Sequence, residues 1–335
     1  PWSGLQGNAA HSGYQPLLLG TPLPTLPAFS IMRPNSYGYA QVAADAGRMF
    51  VTQLDFGNVG RVTAFDSATG QQYWTREFDS IFQLNPPAAH QGRVYVQKSG
   101  ACCSSGSLLS LDAANGATRF EFAHPYNASF LPPPTILDDR IYLSAGNAVG
   151  VFALDRISGQ QRWLSPSSGV REYGTPAADA DFVYQHVYPA LRVIDATTGL
   201  VVRSIPSPTM QVYEGMPSTP VLGAYDNAFA CLHNTLVNYD VPAGEVAWTA
   251  ECETSPPAVA NGIVYVKDWS RLTARRETDG QLLWSSSIPF PAYGLVPTRR
   301  HIIVATEYYT YIVRASDGLL MHTIGQGGYP SLLPD

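Results

Sequence analysis

Lysine is almost missing from this chain of 335 residues: Lys98 and Lys267 are the only two, and arginine supplies the rest of a small basic complement. Charged residues make up 14% of the sequence, where an average soluble protein has roughly 25%. The net charge is −6; a nucleic-acid partner needs a clustered basic surface, so that class is set aside. No apolar run approaches the roughly 18 residues of a membrane-spanning helix. The seven histidines never fall at the i, i+4 spacing of a helical zinc site. There is neither a G-x-S-x-G elbow nor a phosphate-cradling glycine loop. Helical metalloenzyme, serine-hydrolase and nucleotide-binding readings lose their support with those absences.

Cysteine is sparse too, with four residues. Cys102 and Cys103 are neighbours in "SGACCSSGS", which leaves them a strained vicinal disulfide or the reduced state and does not match the spacing of zinc ligands. Cys231 and Cys252 can pair with each other, although sequence alone does not supply the geometry a bridge demands. A bonded pair suits an oxidising compartment, so a periplasmic or secreted protein is expected. The chain starts at Pro1 rather than at methionine, so a processed or trimmed chain is expected, with any signal peptide already removed.

What is present is a repeat. "AFDSATGQQYW" (64–74), "SLDAANGATRF" (110–120), "ALDRISGQQRW" (153–163), "VIDATTGLVVR" (193–203) and "NYDVPAGEVAW" (238–248) each place an aspartate four residues before a glycine and a bulky or long side chain four residues after it. "ARRETDGQLLW" (274–284) and "IVRASDGLLMH" (312–322) keep the glycine and move the aspartate next to it. The glycines at 70, 116, 159, 199, 244, 280 and 318 are 46, 43, 40, 45, 36 and 38 residues apart, the period of a four-stranded propeller blade. An aspartate that accepts bonds from the N–H groups just ahead of it, followed by a glycine free to take positive φ, closes a hairpin. Upstream lie two further short strands, as in "TPAADADFVYQHV" (175–187) and "PPAVANGIVYVKD" (256–268). The period-2 pattern argues against a helical solenoid.

The combination of "TPAADADFVY", "LRVIDATTG" and a terminal tryptophan resembles the quinoprotein-type, PQQ-repeat-like β-propeller superfamily over roughly residues 39 to 324. The resemblance implies an all-β, seven-bladed propeller of four-stranded antiparallel blades, with eight blades as the alternative. It also implies that Trp74, Trp163, Trp248 and Trp284 pack between blades, with Phe120, Arg203 and His322 in the same role. The expected organisation is one domain over 1–335: a leader over 1–38 that includes "GNAAHSGYQP" and a possible ring-closing strand, seven repeats over 39–324, and a closing segment over 325–335. "PTLPAFSIM" (24–32) and "GYPSLLPD" (328–335) are the candidates for a shared closing blade, since closure removes exposed edges. The quinoprotein dehydrogenases of this superfamily hold their cofactor on the axis with a metal ion and, in many members, a vicinal disulfide. Cys102 and Cys103 invite that reading, but those enzymes have eight blades in longer chains, and no matching Glu, Asn and Asp set is found here. The expectation is therefore no cofactor and no metal.

Function has to be sought in the loops, because a propeller hosts many activities. In this strand order the connections between blades share a face with those between second and third strands. The former carry Tyr37, Tyr173, Tyr213 and Tyr293, each at or near a glycine; the latter carry His186, Trp269, Glu307 and Tyr308. Aromatic bodies with polar tips suit sugar rings or protein partners. The expected function is an exported, non-catalytic binding or scaffold propeller, a monomer without a membrane span, that recognises a glycan or protein through this funnel. The first alternative is a polysaccharide lyase acting on uronic-acid glycans, with a His or Tyr base and an Arg or Lys to neutralise the carboxylate. The second is a quinone-dependent dehydrogenase.

Overall fold

The aspartate–glycine turn recurs seven times in space as it does in sequence. All seven glycines have φ between 71° and 77°, the left-handed region that side chains with a Cβ resist. Where the aspartate precedes the glycine by four, its carboxylate caps the turn: Asp66 Oδ1 accepts from the amides of Ala68 and Thr69 and from the Thr69 hydroxyl, and Asp155 and Asp195 repeat the pattern with Ser158 and Thr198. The ladder then resumes with a one-residue bulge, as between Val193 and Ile194. That bulge sets the register of the outer strand.

The computed structural model describes residues 3, 5–20, 36–37, 42–55, 57–100, 105–125, 132–145, 149–167, 174–187, 189–208, 219–252 and 256–328. Within them, consecutive strands form seven antiparallel blades over residues 36–78, 83–125, 135–166, 177–206, 221–251, 258–287 and 292–324. In blade 4 the order from the axis outward is Ala177–Ala178, Phe182–Val187, Ala190–Asp195 and Val201–Pro206. The inner strands of blades 1 and 2 are each interrupted, so two short segments pair with one second strand. Among the described residues the blades number seven. Of the expected closing segments, 24–32 and 328–335, all but Gly328 lie outside the described residues.

In each blade the amide of the residue after the first turn position of the repeat, Ser67, Ala113, Arg156, Ala196, Val241, Glu277 or Ala315, donates to a carbonyl in that blade's first hairpin turn. This bond puts both turns of every blade on one side of the ring, called here the turn face. At the opposite end the outer strand is tied to the second hairpin turn, as by Cys252 N to Asn234 O and Ile288 N to Ser270 O. That side is the loop face.

Alternation along the second strand sends every other residue toward the following blade. Phe50, Tyr95, Tyr142, Phe229 and Tyr265 occupy one such level, each against the aromatic that ends its own repeat. That terminal aromatic lies flat over the glycine of the next repeat: Trp74 on Gly116, Phe120 on Gly159, Trp163 on Gly199, Trp248 on Gly280 and Trp284 on Gly318. Each indole also donates to a carbonyl in that next turn, at 2.9–3.0 Å. Trp163 is buried, while the other three tryptophans are half-buried. Arg203 takes the position in blade 4, lying over Gly244 and donating to the carbonyls of Val241 and Pro242. The glycine therefore has a second purpose, since a Cβ at Gly199 would sit 2.7 Å from the Trp163 ring.

Within the leader, Ser36–Tyr37 pair with the second strand of blade 1, whereas the described residues before position 21 add no strand to a blade. Residue 3 and residues 5–19 lie along the turn face of the ring and between them meet every blade. Ala89 of blade 2, Ala178 of blade 4, Leu222 of blade 5 and Val259 of blade 6 donate their amides to the carbonyls of Ser3, Ala9, Ala10 and Ser12, and Gln15 N donates to Pro297 O of blade 7. His11 is buried between blades 3 and 5, its Nδ1 3.0 Å from Pro220 O and its Nε2 3.1 Å from Thr135 Oγ1. Leu19 packs on Ala44 of blade 1 together with Val296 and Ile303 of blade 7.

Candidate binding face

On the loop face the described residues hold a group of aromatic side chains together in water. Phe290, in the connection from blade 6 to blade 7, has φ 68°, a costly conformation for a bulky residue. Its ring is thereby held between two others: it meets Tyr308 edge-on at 5.4 Å and stacks on Tyr309 at 6.1 Å and 24°. Tyr309 in turn leans on Tyr311 at 5.9 Å. Burial explains only the last of these, because Phe290, Tyr308 and Tyr309 are all exposed, Tyr308 by 53%. The tight turn from Thr306 to Tyr309 fixes the pair of tyrosines. Thr306 Oγ1 donates to Tyr309 O, Tyr309 N donates back to Thr306 Oγ1, and Gly328 N closes on Thr306 O.

Tyr293, at the start of blade 7's inner strand, and Glu307 complete this group. The Glu307 carboxylate accepts from the Tyr308 hydroxyl and raises its pKa, with smaller contributions from burial and from the nearby Tyr293 hydroxyl. On blade 6, Trp269 projects from the second hairpin turn with 69% of its surface exposed. Below it, Asp268 caps the turn through the amides of Ser270 and Arg271. Arg271 is ion-paired to Asp268 and Glu251.

The remaining sequence candidates divide. Tyr173, Tyr213, Cys102 and Cys103 lie outside the described residues; for Tyr37 only the backbone strand is described. His186 is at the loop end of blade 4 but does not face the funnel. It stands one level above Tyr184 on the side of the strand that meets blade 5, and so is buried there. Its Nε2 is 2.9 Å from Ser207 Oγ, which is 2.5 Å from the Tyr239 hydroxyl. Burial lowers its pKa to about 4. Lys267 is likewise buried at the equivalent level of blade 6, its Nζ donating to Asp268 O. The His, Lys and Arg expected of a lyase thus sit in separate seams and ion pairs among the described residues. Phe290 and Tyr309 were not among the favoured site residues; the signal for Phe290 was its place between Pro289 and Pro291 directly after an outer strand.

Cys231 and Cys252 form a disulfide with Cα atoms 6.1 Å apart. It links the second strand of blade 5 to the end of its outer strand, beside the loop-face turn at His233 and Asn234. Among the described residues no group of three or more His, Cys, Asp or Glu is placed to hold a metal ion. The axis at the turn face is filled by His11 and its neighbours. These residues do not fit a quinone with its metal. No helix among the described residues is long and apolar enough to cross a membrane.

Blade size, the aspartate–glycine turn and the tryptophan over the next glycine define a seven-bladed propeller of PQQ-type repeats. The chain belongs to the family described as outer membrane protein assembly factor BamB, whose profile matches residues 33–121 and 58–286. It is 25% identical over 252 residues to the outer membrane protein assembly factor BamB of Shewanella oneidensis, a match that covers 67% of this chain and 61% of that relative. The matched stretch spans less than two thirds of the relative's length. Among solved structures, BamB from Moraxella catarrhalis is similar with a TM-score of 0.66 at 20% identity, over 86% of this chain and 88% of that one. The quinohemoprotein alcohol dehydrogenase of Comamonas testosteroni gives a TM-score of 0.62 at 12% identity, over 100% of this chain and 81% of that one. At those identities the two structures share the fold.

Proposed function

We propose that this protein is an exported, non-catalytic scaffold that binds a protein partner through the loop face of blades 6 and 7. The observation that carries the reading is the interlocked group of exposed rings, Phe290, Tyr308 and Tyr309, with Tyr293 beside it. Large amphipathic side chains held rigid in water lose little entropy on binding and act as anchors at protein interfaces. Trp269 extends the surface onto blade 6, and Tyr37, Tyr173 and Tyr213 are proposed to continue it around the funnel. Membership of the BamB family supports a partner from outer-membrane protein assembly. The Cys231–Cys252 disulfide supports an oxidising compartment. A glycan is the second reading, favoured by the Glu307 carboxylate next to the Tyr308 ring, a pairing that suits a stacked sugar with a hydroxyl to donate.

Trp269→Ala and Tyr308→Ala, made singly, test the surface against a panel of outer-membrane protein segments and of acidic and neutral polysaccharides. Both positions are exposed, so melting temperature is expected to stay within a degree or two. Binding to a protein segment is expected to weaken by ~1–3 kcal/mol, about five- to 150-fold, as for the loss of one aromatic anchor. Weakened binding only to polysaccharide favours the glycan. Full binding in both variants removes the surface from consideration.

A further inference from the structure

The inner strand of each blade has one edge paired and one edge turned to the channel, where an unpaired amide is costly unless something satisfies it. Residues 3–19 supply that something. Carbonyls of Ser3, Ala9, Ala10 and Ser12 accept from the inner strands of blades 2, 4, 5 and 6, at 2.7–2.9 Å. Gln6 Nε2 donates to Pro257 O of blade 6, and Arg299 N of blade 7 donates to Leu17 O. His11 bridges blades 3 and 5. Ala10 packs on the core between blades 4 and 5, Tyr14 on that between blades 6 and 7, and Leu19 on the seam between blades 7 and 1. Gly13 shows how close the fit is: it has φ +71°, and a Cβ there would lie 2.8 Å from Leu295 O and 3.2 Å from the Ala258 Cβ. One strap therefore touches all seven blades, although each described blade is built from its own consecutive strands.

We infer that residues 3–19 are an axial clasp: seated, they lock seven separately built blades into one ring and close its channel at the turn face; withdrawn, they leave the channel open at both ends and the ring free to loosen. The clasp does the work that a strand shared between first and last blades does when chain ends meet in one sheet. It is independent of the partner proposed for the loop face, which lies on the opposite side of the ring.

The test is a protease site inserted after Gly20, which is exposed with open space around it, and cleaved in the folded full-length protein. The cut strap is expected to remain bound through gel filtration. Hydrogen exchange should show the amides of Ala89, Ala178, Leu222 and Val259 still protected. With Gly13→Ala in the cut protein, strap release should be at least tenfold faster. The same four amides should then exchange at least tenfold faster, while Val193 and Tyr184, paired within blade 4, are unchanged. A cut strap that dissociates with no change in those four amides or in melting temperature overturns the clasp. So does Gly13→Ala with strap and exchange both unaltered. If the variant does not fold, the cut wild-type chain decides alone.

Discussion

Trp163→Ala is expected to destabilise the protein by ~3–5 kcal/mol, the range for removing a buried large aromatic side chain and leaving its cavity. Trp163 is 7% exposed, lies over Gly199, stacks near Tyr142 and donates to Ala196 O of the next blade. Collapse of the site is resisted because the two faces of the cavity belong to different blades, each held by its own ladder. Chemical denaturation monitored by fluorescence checks the value. Gly199→Ala should also destabilise, from the other side of the same contact, because a Cβ there overlaps the indole and the backbone is left-handed. The two effects should be strongly non-additive, since once the indole is gone the methyl group has room.

Acid should weaken the fold well before its surface carboxylates titrate. His11 and His186 are buried, and burial lowers each pKa from 6.5 to about 4; for His11 its bond to Pro220 O opposes the shift without cancelling it. A histidine with a folded pKa below its unfolded one favours the neutral folded form. Its contribution is fully present above pH ~6.5 and is lost as pH falls toward ~4, because the unfolded chain takes up the proton first. Each is worth roughly 3 kcal/mol over that window. His124 is lowered in the same sense by burial. Glu277 has the opposite sign: burial raises its pKa above that of the unfolded chain, so its contribution is present at low pH and lost as pH rises through the folded value. The histidines dominate between pH 6.5 and 4.5. Melting temperature measured from pH 8 to pH 4 should fall across that interval, and His186→Gln should remove roughly half of the dependence. A flat profile down to pH 4.5 contradicts the burial of both rings.

Much of this fold was legible because its information is local and repeated. Asp66, Gly70 and Trp74 sit within one turn and one strand, so the spacing in sequence is the spacing in the blade, and seven copies leave little choice of architecture. The loop face follows from strand order, and Tyr293, Trp269, Glu307 and Tyr308 lie at its strand ends and turns. Their mutual contacts were not legible, because the pairing of Phe290 with Tyr308 depends on the turn at Thr306 and on a positive φ that a phenylalanine seldom adopts. His186 was misjudged as facing the funnel because it closes a strand whose last residues still alternate; the fifth residue of that strand points into the seam. The clasp was hidden for a related reason. "GNAAHSGYQP" carries no repeat and little apolar content, and its structure comes from backbone bonds to blades 4, 5, 6 and 7, all distant in sequence.

The proposal that the loop face of blades 6 and 7 is the working surface is most directly tested by photocrosslinking from p-benzoylphenylalanine placed at either Tyr293 or Tyr225 of the full chain. Both side chains are exposed, Tyr293 on the loop face and Tyr225 in the first hairpin turn of blade 5 on the turn face. In extracts of the native host, position 293 should yield a discrete protein adduct, suppressed by Trp269→Ala, and position 225 should yield none. A discrete protein adduct from position 225 with nothing from position 293 would place the partner on the opposite side of the ring and contradict the account.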